Sequence, residues 1–195
     1  MTQPIPTKID PKLMDVACDE LASKIEDKLS WIDNSFGKIE TLIEGKGNTR
    51  VQKFPAIYTG SKKDLGYIKL LPDSKLGNFS YIEISSSHNL DDYAGSVGHS
   101  YDFSIIFWFD FRKVYTNEAK VRTVENVKHD VLNALKSISS STFSVRYDSF
   151  VEGADNIYKG FNHNEIEHQF LMRPYGGFRI NGRMKFNPSK CNFGI

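Results

Sequence analysis

Residues 101–111 have the sequence Tyr-Asp-Phe-Ser-Ile-Ile-Phe-Trp-Phe-Asp-Phe, and this stretch decides the fold class. Every odd position carries an aromatic or branched apolar side chain, which is typical of a β-strand with one heavily buried face. Segments on both sides of this strand place apolar residues at the 3.6-residue period of helices. The pattern predicts an α+β fold: a mixed, mainly antiparallel β-sheet packed against a long N-terminal helix and a second helix, with long loops between the strands.

The N-terminal part of the chain predicts one long amphipathic helix over about residues 11–44. Pro11 suits its first turn and Gly45 suits its end. Gly37 marks a candidate kink or break, because glycine inside a helix costs about 1 kcal/mol relative to alanine. The apolar stripe of this helix consists of Met14, Cys18, Leu21, Ile25, Leu29, Ile32, Phe36, Ile39 and Ile43.

Other segments predict further strands and the second helix. Glycine-bearing turns between the early strands indicate antiparallel pairing. Pro55 would remove a hydrogen-bond donor, so its strand is expected at a sheet edge or bent there. Thr123 is the candidate N-cap of the second helix. The predicted strands are residues 51–59, 66–71, 80–86, 143–149, 165–172 and 178–186.

The chain length and composition predict a single domain over residues 1–195. A chain of 195 residues with 39% hydrophobic side chains is ordinary for one globular domain, and no repeat or long linker divides it. Within this domain, the sheet and second helix are expected at residues 50–187 and a C-terminal tail at 188–195.

Several classes of protein do not fit the composition. No apolar run approaches the roughly 20 residues of a membrane-spanning helix, and the first residues lack a secretory signal, so we expect the mature chain to begin near Met1. Two cysteines, Cys18 and Cys191, are too few for a disulfide framework and favour a reducing compartment. A net charge of +1 gives no general attraction to nucleic acid.

Charge is nevertheless distributed unevenly along the chain. Residues 12–44 carry eight acids against four lysines, whereas the chain from Arg173 onward has five basic residues and no acid. Such polarity suits head-to-tail contacts between copies of one subunit, which require complementary surfaces. The alternative interpretation is two ordinary solvated faces.

The last predicted strand has two different faces. Its apolar residues are Phe178, Ile180, Met184 and Phe186, with Gly182 between them. Arg179, Asn181, Arg183 and Lys185 alternate with these, so one face is predicted to be core and the other basic. Gly182 indicates a bulge or a close backbone approach.

Two long polar connections are predicted at residues 85–100 and 148–164, each longer than a simple turn requires. The first is expected to be a flexible, mildly acidic loop that contains Tyr93. The second carries Phe150, Tyr158 and Phe161, whose apolar character indicates docking either on the chain's own core or on a neighbouring chain.

The densest group of candidate metal ligands is the segment 163–168, His-Asn-Glu-Ile-Glu-His. On a strand, His163, Glu165 and Glu167 would share one face while His168 points to the other, and the histidine spacing does not match a helical metalloprotease pair. Surface polar residues are therefore favoured over a metal site.

No other segment forms a recognisable catalytic set. His88, Asp91, Asp92 and His99 lack a nucleophile or an orienting partner, and Cys18 is in phase with the apolar helical stripe. We assign no catalytic, cofactor-binding or metal-binding residue and expect no enzymatic activity.

In the order of its predicted helices and strands, and in the residue pattern of several segments, the chain resembles the tail terminator and neck proteins of tailed bacteriophages and their prophages. The likeness covers nearly the whole chain. It is carried by residues 54–58 (Phe-Pro-Ala-Ile-Tyr), 71–73 (Leu-Pro-Asp), 77–81 (Gly-Asn-Phe-Ser-Tyr), 122–126 (Arg-Thr-Val-Glu-Asn) and 171–179 (Leu-Met-Arg-Pro-Tyr-Gly-Gly-Phe-Arg).

This resemblance implies a structural virion protein, assembled in the host bacterial cytoplasm. Its subunits would form a ring, expected to be a hexamer, that caps the tail tube and joins it to the connector, with room for DNA to pass through. No catalytic residues come with that family, and we expect no cofactor, no membrane partner and no sequence-specific nucleic-acid binding. The candidate interface residues are Arg179, Arg183, Lys185, Tyr93, Phe150, Tyr158 and Phe161.

Two alternatives remain open at this point. The long predicted loops leave room for another neck or adaptor ring, and a non-viral binding module without catalytic activity fits the same sequence features. An enzyme is the least favoured class. The oligomeric mass separates a ring protein from a monomeric binding module.

Overall fold

The computed structural model describes residues 14–45, 51–59, 66–93, 96–115 and 123–186. Its helices are α1 (Met14–Lys28), α2 (Phe111–Val114), α3 (Val124–Lys136) and α4 (Ala154–Ile157), with a short 3-10 helix at His168–Leu171. Its strands are β1 (Asn34–Lys38), β2 (Glu40–Glu44), β3 (Gln52–Tyr58), β4 (Tyr67–Lys69), β5 (Phe79–Tyr93), β6 (Ser96–Asp110), β7 (Phe143–Val151) and β8 (Tyr175–Phe186).

A five-stranded sheet with the order β1-β5-β6-β8-β7 forms the centre of the described fold. Only β1 runs parallel to its neighbour, and the other pairs are antiparallel. The decisive stretch of sequence lies in β6, which pairs with β5 on one side and β8 on the other. The prediction of an α+β fold with a mixed, mainly antiparallel sheet is confirmed.

Both faces of β6 are buried, not only the face that the alternation predicted. Phe107 and Phe109 face the helices α1 and α3 and are fully buried. Ile106 and Trp108 face the opposite side, where they pack with Phe54 of β3 in a second apolar cluster. The second face is covered because β2, β3 and β4 form a separate three-stranded sheet.

The long N-terminal helix was predicted too long, because α1 ends at Lys28 and β1 and β2 follow it. At the start of β1 the Asn34 side chain donates to the Leu76 carbonyl oxygen at 2.9 Å, and the Ser35 and Ser80 hydroxyl oxygens are 2.8 Å apart. These contacts with the chain that enters β5 hold residues 34–38 extended. The apolar spacing after Lys28 fits a helix equally well, so the sequence pattern did not distinguish the two.

Three other local predictions have clear outcomes. The predicted strand at 165–172 is wrong, because this segment forms turns and a 3-10 helix that bury Ile166 and Phe170. The predicted N-cap is confirmed, since Thr123 Oγ1 accepts the Asn126 N–H at 3.3 Å. Pro55 predicted either an edge position or a bend, and the edge position is wrong, because β3 is the middle strand of its sheet. The Pro55 carbonyl accepts a hydrogen bond from the Leu70 N–H, and Leu70 lies just beyond the end of β4. The N–H group that proline lacks would therefore face no residue of β4.

Candidate assembly surfaces

A hairpin arm, residues 88–93 and 96–98, extends β5 and β6 beyond their neighbours. β1 pairs with β5 only as far as Ile82, and β8 ends at Phe186, which pairs with His99. The pairing between β5 and β6 nevertheless continues through the arm to Tyr93 and Ser96. The predicted flexible loop at 85–100 is therefore wrong, because backbone hydrogen bonds extend a hairpin without requiring alternating apolar side chains.

The arm leaves strand edges open. No described strand pairs with the outer side of β5 along residues 88–93. Open strand edges present N–H and C=O groups that can pair with another chain. Tyr93, a predicted interface residue, belongs to the last described backbone pair of the arm, so its position suits a contact with another molecule.

Strand β7 forms the opposite edge of the main sheet. It pairs with β8 on one side, and no described strand pairs with its other side. The register shifts between Tyr147 and Ser149, opposite Gly182. A Cβ added to Gly182 would lie 2.2 Å from the Arg146 carbonyl oxygen. The predicted bulge or close approach at Gly182 is thus confirmed.

A groove of about 620 Å³ lies between β7 and the C-terminal part of α3. Its apolar lining consists of Leu132, Leu135, Ile138, Phe143, Val145, Tyr147, Phe150 and Ile180. Burial raises the pKa of the Tyr147 hydroxyl well above its usual range, so this group stays protonated at neutral pH. The groove also has polar lining, including Lys136 and Asp148, so it combines an apolar wall with polar side chains beside the β7 edge that has no described strand partner.

The predicted basic face of β8 is largely paired within the chain. Arg179 Nη1 lies 2.8 Å from Glu83 Oε2, and Arg179 Nε donates to Asn181 Oδ1 at 3.1 Å. The Arg179 side chain is only 13% exposed. Burial raises the pKa of Glu83, and the neighbouring guanidinium of Arg179 opposes this shift. Arg179 Nη1 also donates to the Ile157 carbonyl oxygen at 3.3 Å, so the ion pair lies against α4.

Farther along β8, Arg183 is more accessible than Arg179. Its Nε donates to Asp102 Oδ1 at 3.2 Å, and the two side chains are 48% and 65% exposed. Arg183 and Asp102 are direct register partners on β8 and β6. Lys185 is exposed on the same face of β8. The accessible basic groups on this strand are consequently Arg183 and Lys185.

The connection at 148–164 docks on the chain's own core, which was one of the two predicted possibilities. Ile157 and Tyr158 are buried, with the Tyr158 ring centroid 6.2 Å from that of Trp108. Phe150 packs edge-on against Phe178, and Phe161 packs against the second apolar cluster. Tyr158 therefore has no surface to offer a neighbouring chain, whereas Phe150 also lines the groove.

The candidate metal ligands at 163–168 have separate partners. His163 Nε2 lies 3.1 Å from Asp155 Oδ1, and Glu165 Oε2 lies 2.8 Å from Lys69 Nζ. Glu167 accepts a hydrogen bond from Gln169. In the described part of the chain, no three histidine, cysteine or carboxylate side chains are arranged to hold a metal ion.

Sequence reasoning missed an exposed aromatic pair on the small sheet. Tyr58 of β3 and Tyr67 of β4 are register partners with ring centroids 5.2 Å apart, and they are 51% and 36% exposed. The Tyr67 hydroxyl donates to Glu40 Oε2 at 3.1 Å, and this bond raises the pKa of Tyr67. The pair depends on the register between two strands, which local sequence patterns do not reveal.

No protein-family model matches the sequence, and no curated protein is similar to it. Across the described ranges, every helix is too short or too polar to cross a lipid bilayer.

Proposed function

We propose that this chain is a structural subunit that assembles with copies of itself into a ring, and that the ring serves as the tail terminator of a tailed phage. One observation carries the proposal: among the described strands, the main sheet has two non-equivalent edges without a strand partner. One edge is the hairpin arm on β5, and the other is β7.

Non-equivalent edges favour a head-to-tail contact. A two-fold dimer joins identical surfaces, whereas a head-to-tail contact joins two different surfaces and leaves one of each free for the next copy. Repetition of such a contact closes into a ring when the rotation per subunit allows it. In this proposal the arm of one subunit contacts the β7 side of the next.

The family resemblance supplies the biological role. A ring of this kind would cap the finished tail tube and present a surface to the connector, with DNA passing through its centre. Its partners would be other copies of the chain, the tail tube and neck proteins, within a virion assembled in the bacterial cytoplasm. The proposal assigns the chain no reaction, cofactor or membrane contact.

Shortening the arm tests the assembly contact. Replacing residues 91–98 with Asn-Gly closes a two-residue hairpin turn between Leu90 and His99, which are already paired. We expect this variant to retain its melting temperature and to form no rings, because the open part of the arm is gone. Native mass spectrometry and electron microscopy, with and without purified tail tubes, measure the assembly. Normal rings from the shortened chain, or a wild-type chain that stays monomeric even with tail tubes, would contradict the proposal.

Arg183→Glu tests whether the accessible basic face contributes to the contact. We expect impaired assembly with a folded monomer, because the change reverses a half-exposed charge. The matched control is the exchange of both partners, Arg183→Glu with Asp102→Lys, which restores the local attraction between neighbouring strands. If the exchange restores assembly fully, the basic face is not part of the contact.

The groove beside β7 favours a second candidate, a binding module. A stable monomer that binds an unrelated extended peptide in this groove, and never forms rings, would support that alternative over the ring.

A further inference from the structure

The edge of β7 and the groove beside it form a site for one additional strand. Strand addition requires free main-chain groups along an edge and pockets that take alternate side chains of the incoming segment. β7 has an edge without a described strand partner, and Leu132, Val145 and Phe150 provide an apolar wall next to it. These two features lie side by side along the same nine residues, Phe143–Val151.

The segment that matches this site is the C-terminal stretch 187–195 of the chain itself, which lies outside the described residues. Its sequence is Asn-Pro-Ser-Lys-Cys-Asn-Phe-Gly-Ile. In an extended conformation Cys191, Phe193 and Ile195 share one face, because successive side chains of a strand point to opposite sides. We propose that residues 191–195 add to the outer edge of β7 and place these three side chains in the groove.

The chain can reach this position. β8 ends at Phe186, whose register partner is Phe143 at the start of β7. A strand outside β7 lies two strand spacings from β8, about 10 Å. Residues 187–190 span up to about 13 Å when extended, so they can form the link. The added strand would run parallel to β7, and Pro188 falls in the link, where no ladder donor is needed.

The hairpin arm of a second copy, which contacts the β7 side in the proposed ring, can pair with the same strand edge but does not fit the groove beside it. Its apolar residues Leu90, Tyr93 and Val97 do not alternate along one strand as the C-terminal residues do. If residues 191–195 lie on β7, one consequence follows for assembly, and it rests on the ring function proposed above. The segment would cover the β7 edge in a free subunit, so that a neighbouring copy must displace it before the ring can close.

Disulfide trapping in the full-length chain tests the placement. Val145→Cys and Tyr147→Cys introduce thiols that line the groove, whereas Arg146→Cys introduces a thiol on the opposite, exposed face of β7. Cys191 is the natural partner, and Cys18 is buried in the core. Under mild oxidation we expect a bond within one chain to Cys191 in at least one groove variant and none in the Arg146 variant. Peptide mass mapping identifies the bond.

Each result of the trapping experiment decides the proposal. Trapping at neither groove position, or equally at Arg146, would overturn it. Bonds that appear only in dimers would mean that a second copy supplies the segment, and this too would contradict the assignment to the same chain. The experiment is done with dilute monomer, so its result does not depend on whether rings form.

Hydrogen exchange provides a second measurement with a matched pair of variants. Phe193→Asp places a charge on the side proposed to enter the groove, and Asn192→Asp places the same charge on the opposite side. We expect the outward amides of β7 to exchange roughly tenfold faster in Phe193→Asp than in the wild type. Asn192→Asp should leave them unchanged. Equal exchange in the wild type and both variants would overturn the proposal.

Discussion

Strands β6 and β7 belong to the same sheet, but their surroundings are opposite. β6 has a strand on each side and an apolar layer on each face, and Phe107 on it is fully buried. Among the described strands β7 pairs only with β8, and its Arg146 and Asp148 form an exposed ion pair at 2.8 Å.

This contrast indicates a division of roles within one sheet. The inner strand contributes buried apolar area, the main favourable term in folding. The outer strand contributes less area but keeps main-chain groups and a groove available for another segment. Changes in β6 should therefore affect folding, whereas changes along β7 should affect mainly binding and assembly.

The largest effect is expected for Phe107→Ala in β6. Truncation of this fully buried ring leaves a cavity between the sheet and the helices, and we expect a loss of about 3–5 kcal/mol in the free energy of unfolding. The matched change in β7 is Val145→Ala, which should cost about 1 kcal/mol or less because this side chain is only partly buried. Thermal and urea melts followed by circular dichroism measure both. If both variants lose the same free energy of unfolding, the proposed difference between β6 and β7 is wrong.

A smaller effect is expected where β8 meets the bulge of β7. Gly182→Ala would place a methyl group 2.2 Å from the Arg146 carbonyl oxygen and 2.9 Å from the Phe103 ring. Because a backbone oxygen cannot rotate away, we expect a loss of about 1–3 kcal/mol. Gly45→Ala is the control, since its added methyl group would meet only Val51, at 3.6 Å. If the two variants melt alike, β7 adjusts more easily than its contact with Gly182 indicates.

The smallest of these effects lies at the end of β6, where Asp110 caps α2. Its carboxylate accepts the Arg112 N–H at 2.9 Å and pairs with the Arg112 guanidinium at 2.7 Å. Burial alone would raise the pKa of Asp110, but the hydrogen bonds from Arg112 outweigh burial and lower this pKa below its ordinary value of 3.8. Asparagine can still cap the helix but cannot form the ion pair with the half-exposed Arg112, so we expect Asp110→Asn to lose about 0.5–1 kcal/mol at neutral pH.

The stability difference between the wild type and Asp110→Asn should depend on pH in a defined direction. Because the folded-state pKa is lowered, the stabilising contribution of Asp110 is present above pH 3.8 and disappears as the pH falls through the folded-state value. Urea melts of the wild type and the variant should therefore converge on acidification. If the stability difference stays constant as the pH falls through the folded-state pKa of Asp110, the charge of Asp110 is not its source.

Much of the fold could be predicted from local patterns. The odd positions of residues 101–111 identified the inner strand, Thr123 identified the start of α3, and Gly182 identified the bulge beside β7. The long N-terminal helix was overestimated, because Phe36 and Ile39 have helical spacing but lie in or beside short strands. Nothing in their spacing reports the contacts that Asn34 and Ser35 make with distant parts of the chain.

The candidate surfaces were less predictable than the core. The polar residues 85–100 predicted a loop, yet their backbone forms the hairpin arm. Arg179 was predicted at an interface from its position on a basic face, yet it pairs with Glu83, almost a hundred residues earlier, and donates to the Ile157 carbonyl of α4. Neither the pairing of the arm nor the burial of Arg179 leaves a local pattern in the sequence.

The order of apolar residues along the chain is enough to identify most of the core and most helices and strands, because burial and the helix or strand period follow from that order. Where the sheet ends, which charges are neutralised and where a groove remains became clear only in the folded chain. Those features depend on contacts between residues far apart in the chain, and the same local pattern is compatible with several such contacts.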